Sequence, residues 1–304
     1  LGDVYKRQVY MQISKASGFN VCIWSGNLDL AEEERLIAGK FKGKTPWIMI
    51  AWWFLNLSVW LSLWPLTIAG SISIWSSFFI ASICACLCYL PSHEAQHENI
   101  GKKGSSFFWL NELIGYTSLF IIALPYRLAK ATHLLHHTFT NHPTKDPDYG
   151  VKGKSLLDAL WINLFVNRQK DTPYLEFLED SSEKKKILFE ALVTRISHWL
   201  ILVSFAWAGY GVEVLAIWWL PRLLGSSYLQ MTLSWAPHHP MEEQGRYRDT
   251  RGFKAPIGTI LTSGMEYHIV HHLHPSIPLN LNPQAYRALK PILEKRNCRL
   301  DGNL

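Results

Sequence analysis

The amino-acid sequence predicts an all-α integral membrane protein. We expect four transmembrane helices in two hairpins, a re-entrant or interfacial segment, and a cytoplasmic cap that is helical and rich in histidine. Of the 304 residues, 48% are hydrophobic, and long stretches without charge alternate with segments rich in Lys, Arg, Asp, Glu and His. Each long apolar stretch has enough residues to cross a hydrocarbon core of about 30 Å at about 1.5 Å per helical residue.

Four apolar stretches form the predicted spans, and short links join them in pairs. The first two carry no charged residue and follow directly on one another, so they form a transmembrane hairpin. The second pair contains charged residues, among them Arg195 and Arg222, which we expect to face protein or to extend toward the membrane surface. The predicted spans cover about residues 47–69, 71–90, 187–210 and 212–236.

A further apolar segment, residues 107–126, differs from the four spans because Asn111, Glu112 and Gly115 interrupt it. A full crossing at this point would move the later histidine-rich segments to the opposite side of the membrane. We therefore predict that this segment is re-entrant or lies in the membrane interface.

The basic residues predict which side of the membrane the polar segments occupy. Two hairpins place both termini and both long polar segments on one side, and Lys and Arg cluster there. Because basic loops stay in the cytoplasm, we expect a multi-pass protein of a bacterial inner membrane with both termini cytoplasmic. The net charge of +6 fits such juxtamembrane residues, and we expect no nucleic-acid partner. The basic clusters are residues 40–44, 101–103, 183–186 and 245–251.

The chain divides into four parts. Residues 1–10 contain "DVYKRQ", which looks like a translated sequencing-library adapter, and we interpret this part as a sequencing artefact. Residues 11–46 form a polar, cytoplasmic N-terminal segment. Residues 47–278 form the membrane domain, and residues 279–304 form a C-terminal tail.

The 13 histidines are clustered rather than scattered along the chain. Most of them fall in "HEAQH", "HLLHH", "HH" and "HIVHH", each at or near the cytoplasmic end of an apolar segment. Residues three and four apart share one face of a helix, so each cluster directs its imidazoles to one side. The candidate ligands are His93, His97, His133, His136, His137, His238, His268, His271 and His272.

So many imidazoles in one place predict a site for two metal ions. Imidazole suits zinc, copper, iron and nickel, and one zinc ion takes about four ligands. Eight or nine histidines are therefore too many for one ion and about right for two. Of the remaining histidines, His239 is an alternative to His238, and we expect His198 to be packed or interfacial.

The motifs "HEAQH", "HLLHH" and "HIVHH" resemble the three histidine boxes of the membrane fatty acid desaturase superfamily, which includes acyl-lipid desaturases, fatty acid hydroxylases, and carotenoid hydroxylases and ketolases. The resemblance covers roughly Trp47 to Pro278 in box order, box spacing and hairpin topology. It implies that the eight box histidines hold two iron ions of a non-haem di-iron centre. It also implies O2 as co-substrate, and electrons from a ferredoxin or a cytochrome b5-like donor.

Finer motifs leave two substrate classes open. "HHTFTNHPTKDPD" (136–148), "HHLHPSIP" (271–278) and "PHHP" (237–240) are similar to the carotenoid branch, but they also occur in bacterial fatty acid desaturases. In acyl-CoA desaturases an Asn stands four residues before the ninth histidine, whereas Ser234 precedes His238 here. We predict an enzyme that introduces a double bond into a long-chain lipid or hydroxylates it, with a fatty acid desaturase favoured and a carotenoid hydroxylase or ketolase as the alternative.

Polar residues beside the boxes are candidates to support the ligands. A histidine that binds a metal usually donates its second N–H to a carboxylate or a carbonyl. Asp148 and Glu94 are candidates for this role, and Asn141 is a candidate either to hydrogen-bond a ligand or to cap a turn. The alternative for the carboxylates is turn chemistry, since "DPD" (146–148) also favours an Asx turn.

A histidine-rich metal transporter is the competing hypothesis from another class of protein. Such a transporter is expected to place its ligands in the middle of the membrane, on facing helices. Here the histidines lie at helix ends and in polar segments, which favours an enzyme at the membrane surface.

Overall fold

The computed structural model describes residues 29–166, 182–240, 243–254, 264–300 and 302–303. The predicted artefact, residues 1–10, and the first half of the N-terminal segment, residues 11–28, lie outside these ranges. In the described part, β structure is limited to a parallel pairing of two residues each, β1 (Phe253–Lys254) with β2 (Gly302–Asn303). The fold is therefore helical, as predicted.

Twelve α-helices occur in the described ranges. They are α1 (Leu30–Gly39), α2 (Trp47–Ile68), α3 (Ile74–Leu87), α4 (Tyr89–Gln96), α5 (Phe108–Phe120), α6 (Tyr126–Phe139), α7 (Leu156–Trp161), α8 (Ser182–Trp207), α9 (Gly211–Val214), α10 (Leu220–Leu229), α11 (His268–Leu273) and α12 (Asn282–Lys295). Among the described residues, three helical stretches are long and apolar enough to cross a membrane: α2, α3 with α4 (Ile74–Gln96), and α8.

The first two predicted spans agree with helices, but the second has different bounds. The Ser73 side chain accepts a hydrogen bond from the Ser76 backbone N–H at 3.0 Å, so it caps the helix and delays its start to Ile74. At the other end the helix continues past residue 90 through the first histidine box to Gln96. The apolar span and most of the first histidine box thus form one nearly continuous helix.

The fourth predicted span, 212–236, is a series of shorter segments rather than one regular helix. Helices α9 and α10 alternate with π-helical turns at Leu215–Trp219 and Gln230–Trp235. Helix α10 packs closely against α3 at Gly225, where an added Cβ would lie 2.7 Å from the Ala85 carbonyl oxygen. Small residues allow such close approach of backbones between membrane helices.

Replacing Gly225 by alanine is expected to destabilise the packing of α10 on α3. The new methyl group would overlap the Ala85 backbone, and overpacking of this kind costs about 1–3 kcal/mol. Thermal unfolding of the detergent-solubilised protein measures the effect. The matched control is Gly211→Ala, because the nearest atoms to its added Cβ lie 4.0 Å away. Equal melting temperatures for the two variants would contradict the close approach.

Indole N–H groups join α2 to the fourth apolar segment, and that segment to the end of the short helix α5. The Trp60 Nε1 donates to the Ile217 carbonyl at 3.2 Å, and the Trp218 Nε1 donates to the Ile121 carbonyl at 2.9 Å. Both acceptors lie at irregular or terminal helix positions, where carbonyls lack a partner within the helix. Helix α5 has 13 residues, fewer than the roughly 20 that cross a bilayer, which agrees with an interfacial or re-entrant segment.

A second core lies under the third histidine box. Ile269 and Val270 of α11 are fully buried and pack with Tyr286 and Leu289 of α12 and with Ala38 of α1. The predicted C-terminal tail thus contains a helix that packs against the third histidine box. Because α1 and α12 pack against α11, they fix its position, and its histidines face the other boxes.

Candidate metal centre

Nine histidines converge on one site from four parts of the chain. Helix α4 ends with the first box, α6 carries the second box, and α11 carries the third, while His238 follows the last π-helical turn. The ligand atoms of eight of them fall into two groups of four, and within each group the atoms lie within 4.8 Å of one another. One group is His93, His97, His133 and His271, and the other is His136, His238, His268 and His272.

Distances between ring nitrogens fit ligation of a common ion. The Nε2 atoms of His97 and His133 are 2.9 Å apart, and those of His136 and His238 are 3.2 Å apart. Two nitrogens bound to one metal at about 2.1 Å, with angles between square and tetrahedral, stand about 3.0–3.4 Å apart. Each pair therefore has the separation expected of two ligands on one ion.

Buried nitrogens without partners give a second test of the fit. Both ring nitrogens of His93 and of His268, and Nε2 of His272, are buried and make no hydrogen bond to the described residues. Buried polar atoms in proteins are almost always satisfied. A metal ion in each group would satisfy one nitrogen of each of these rings, so the residues fit two ions.

His137 lies where the two groups meet. Its Nε2 is 3.2 Å from Nε2 of His133 and 2.9 Å from Nε2 of His271, both in the first group. Its ring stacks on that of His272, in the second group, with 4.3 Å between centroids. His137 thus offers a ligand atom to the first group and a packing contact to the second.

Eight of the nine histidines favour the neutral form that binds metal, and His136 is the exception. Burial, and then the charge of neighbouring imidazoles, hold the pKa of His133 and His271 well below the usual range. Neither four-histidine group includes a cysteine or a carboxylate ligand. An all-imidazole set of this kind suits iron, zinc, copper or nickel rather than calcium or magnesium.

Asp146 fixes the orientation of His136. The His136 Nδ1 donates to Asp146 Oδ1 at 2.8 Å, which leaves Nε2 facing His238. Burial opposes the charged form of His136, but the carboxylates of Asp146 and Asp148 raise its pKa to about 9. Asp146 itself accepts from the backbone N–H groups of Asn141 and Asp148 at 2.7 and 2.9 Å, so the carboxylate is firmly placed. This arrangement orients ligands in many metal sites.

Asp146 was not among the predicted supporting residues, whereas its neighbour Asp148 was. The Asp148 Oδ2 lies 3.9 Å from the His136 Nδ1 and accepts a hydrogen bond from the Ser234 hydroxyl at 2.8 Å. Both aspartates belong to "DPD", and the sequence pattern does not distinguish them. The distinction arises because Asp146 caps the short 3-10 helix Pro147–Val151, which turns its carboxylate toward His136.

Asn141 supports the ligand His238 through the backbone. Its side-chain amide donates to the Asp249 carbonyl at 2.8 Å, and the same carbonyl accepts from the His238 Nδ1 at 2.9 Å. The backbone of Asn141 has a φ of 65°, a left-handed conformation that asparagine tolerates better than most residues. The residue therefore shapes a turn and also braces the loop that orients His238.

Glu94 connects the first box to the chain after the third box. Its fully buried carboxylate accepts from the Leu279 backbone N–H at 2.5 Å and from the Asn99 side-chain amide at 2.7 Å. Asn99 also donates to the Pro275 carbonyl at 3.0 Å. These contacts join two ligand-bearing segments and involve none of the nine histidines.

The remaining histidines lie outside both groups. His239 stacks on Trp235 at 4.7 Å between centroids, and His142 makes its hydrogen bonds to Thr144 in its own loop. His198 is buried against Phe120 on α5, as a packed histidine should be. His238, rather than its alternative His239, contributes a ring nitrogen to one of the two groups.

Glu34, on α1, forms a buried charge cluster beneath the third box. Its carboxylate lies 3.2 Å from the His274 Nε2 and 3.1 Å from the Arg296 Nε, and it accepts a hydrogen bond from the Tyr247 hydroxyl at 2.8 Å. The side chain is 3% exposed. The sequence carries no signal for this cluster, since its members are far apart along the chain.

The Glu34 cluster predicts a pH dependence of stability. Burial alone would raise the pKa of Glu34, but hydrogen bonds from His274 and Tyr247 and the charge of Arg296 lower it to about 2. A carboxyl whose pKa falls from 4.5 to about 2 on folding contributes about 3 kcal/mol above pH 4.5, and this is lost as the pH drops toward 2.

We expect Glu34→Gln to lower the melting temperature at pH 6, and the difference from the wild type to shrink as the pH falls from 4.5 to 3. Thermal unfolding across this range measures it. Glu33→Gln is the matched control, because the Glu33 side chain is 40% exposed and its carboxylate lies 4.0 Å from the Lys295 amine. A constant difference at all pH values would contradict the assignment.

A cavity of about 500 Å³ opens beside the histidines. His133, His136 and His268 form one part of its wall, and apolar residues such as Leu128 and Leu233 form another. Cavities of this size hold small organic ligands or single chains. The cavity therefore gives a molecule access to the space next to both groups.

The fold and the site define a membrane protein with a histidine cluster able to hold two metal ions. The fatty acid desaturase family matches residues 69–302, which is more than half of the chain. The chain therefore belongs to the fatty acid desaturase family, and the resemblance predicted from its histidine boxes is confirmed. It is an oxidoreductase of the desaturase type and, with its three apolar helices, an integral membrane protein.

Individual relatives are distant. A sn-1 oleoyl-lipid 12-desaturase of Picosynechococcus sp. is 23% identical over 80% of this chain and 71% of its own length. A fatty acid conjugase of Calendula officinalis is 23% identical over 67% of this chain, and a dihydrorhizobitoxine desaturase of Bradyrhizobium elkanii is 26% identical over 64%. The chain spans 64% and 62% of the lengths of the last two.

Proposed function

We propose that the chain introduces a double bond into a long-chain lipid, using O2 and two iron ions held by the nine histidines. The observation that carries the proposal is the pair of four-histidine groups at the wall of a cavity of about 500 Å³. Family membership supports the reaction class, and the relatives described above are named as desaturases and conjugases.

The reaction balances with an external source of electrons. A CH2–CH2 unit, O2, two electrons and two protons give a CH=CH unit and two molecules of water. When bound, the iron pair supplies the reduction of O2 that makes removal of hydrogen from an unactivated C–H bond feasible. The electrons come from a partner, which we propose is a ferredoxin or a cytochrome b5-like protein that docks on the basic cytoplasmic face.

The residues of the chain orient the substrate and the ligands. Leu128 and Leu233 pack against an apolar chain in the cavity and hold it beside His133 and His136. Packing of the chain excludes water from the site. Asp146 keeps a proton on the His136 Nδ1, and the Asp249 carbonyl does the same for His238, so that both Nε2 atoms stay free for metal.

The four-span topology, with the metal centre at the cytoplasmic face of a bacterial inner membrane, is part of the same proposal. The segment 212–236 would provide the fourth crossing, and α5 would lie in the interface. The basic clusters that support this orientation are residues 40–44, 101–103 and 183–186.

Lipid profiling of cells that express the chain tests the proposal. One host carries mainly saturated acyl lipids and a second makes β-carotene, and each is compared with cells that carry an empty vector. We expect new double bonds in acyl chains of the first host. Hydroxylated or ketolated carotenoid in the second host, with unchanged acyl chains, would overturn the substrate assignment in favour of the carotenoid branch.

A further inference from the structure

One wall of the cavity is hydrophilic along the fourth apolar segment. Arg222, Ser226, Gln230 and Ser234 all line the cavity, and their spacing of four residues places them in a row along the segment. The row ends close to the metal centre, where Ser234 donates to Asp148. A substrate with only hydrocarbon groups would offer Arg222, Ser226 and Gln230 no hydrogen-bond partner in the cavity.

Arg222, at the far end of this row, is a cation with few partners. Its Nε is buried and makes no hydrogen bond, and no carboxylate in the described ranges forms an ion pair with it. Its guanidinium carbon lies 4.3 Å from the centre of the Trp219 ring. Ionisable groups inside apolar membrane segments are costly, and they usually mark a path or a site for a ligand.

A second arginine borders the same cavity from the opposite helix. Arg195 on α8 lines the cavity, together with Trp199 one turn further along. The rings of Trp199 and Trp219 are 5.2 Å apart, so the two arginine-bearing helices meet next to the cavity. The end of the cavity at Arg222 therefore combines positive charge with aromatic surface. It lies away from Ser234 and Asp148.

We propose that Arg222 binds an anionic group of the substrate, so that the cavity takes a long-chain amphiphile with its carboxylate or phosphate at Arg222 and its chain running toward the histidines. Guanidinium groups pair with either anion through two parallel hydrogen bonds. Such an anion would satisfy the buried Nε, while Ser226 and Gln230 offer further hydrogen bonds. The inference deepens the proposed function and rests on it only in taking this cavity as the substrate site.

Direct binding to the purified protein in lipid nanodiscs tests the proposal. The probes are radiolabelled palmitate, hexadecyl phosphate and the uncharged methyl palmitate. We expect at least one anionic probe to bind wild-type protein about ten- to a hundred-fold more tightly than the ester, as a charged hydrogen bond implies. Arg222→Met should remove this preference, and Arg222→Lys should keep most of it. The matched control Arg287→Met changes an exposed arginine on α12 and should behave as wild type.

The outcomes distinguish a carboxylate from a phosphate. They also distinguish the binding of an anion from the desaturase reaction. A preference for palmitate alone assigns a carboxylate, and a preference for hexadecyl phosphate alone assigns a phosphate. Equal affinity of the wild type for the ester and both anions would overturn the proposal, as would an unchanged preference in Arg222→Met. The three probes on wild-type protein test the preference for an anion even if a variant does not fold. Binding requires no turnover, so neither result depends on the desaturase reaction.

Discussion

Replacement of His136 by alanine is expected to abolish product formation while the protein still inserts into the membrane. The change removes one ligand from the second group and leaves Asp146 without its partner. Loss of residues that only support a ligand costs about 10- to 100-fold, so loss of the ligand itself should exceed about 100-fold. Lipid profiling measures activity, and metal analysis of the purified variant should show less iron than in the wild type.

The matched control for this change is His142→Ala. His142 lies in the same stretch of sequence, but its hydrogen bonds are to Thr144 in its own loop and it belongs to neither group. We expect its activity and iron content to equal those of the wild type. Full turnover by the His136 variant would show that the second histidine box does not hold the metal.

Replacement of Asp146 by asparagine is expected to have the second largest effect. The amide keeps the size of the side chain, but it loses the charge that holds the His136 Nδ1–H at 2.8 Å. We expect a 10- to 100-fold loss of activity or of iron affinity, measured by turnover and by the rate at which a chelator removes iron.

The comparison that isolates Asp146 is Asp148→Asn. The Asp148 carboxylate lies 3.9 Å from the same nitrogen and is held by the Ser234 hydroxyl, so its removal should cost less than that of Asp146. A larger loss for Asp148→Asn than for Asp146→Asn would reverse the assignment, and would return the supporting role to the residue that the sequence predicted.

The apolar stretches predicted where long helices form, but not how they begin, end or distort. Absence of charge located α2 and α3 because hydrocarbon excludes charged groups. The start of α3 depends on the Ser73 cap, and its end depends on packing of the first histidine box. The π-helical turns at Leu215–Trp219 and Gln230–Trp235 could not be predicted from hydrophobic periodicity, because segments of five and six residues are too short to reveal a period.

That the box histidines would share one site could be predicted because their spacing within each box is local. How they divide between two groups could not be predicted, since it depends on how four segments meet. His97 falls with His133 and His271, whereas His136, one turn from His133, falls in the other group. The Glu34 cluster could not be predicted for the same reason, because α1 meets His274 and Arg296 only in the folded structure.

The metal content of the purified wild-type chain tests the central claim most directly. Elemental analysis, with Mössbauer spectroscopy of protein grown on 57Fe, determines which metal is bound, how many ions each chain holds and whether they interact. Two iron atoms per chain, magnetically coupled, are predicted from the two four-histidine groups that share His137 at their junction. A chain that carries zinc and no iron would contradict the di-iron assignment and would revive the hypothesis of a metal transporter.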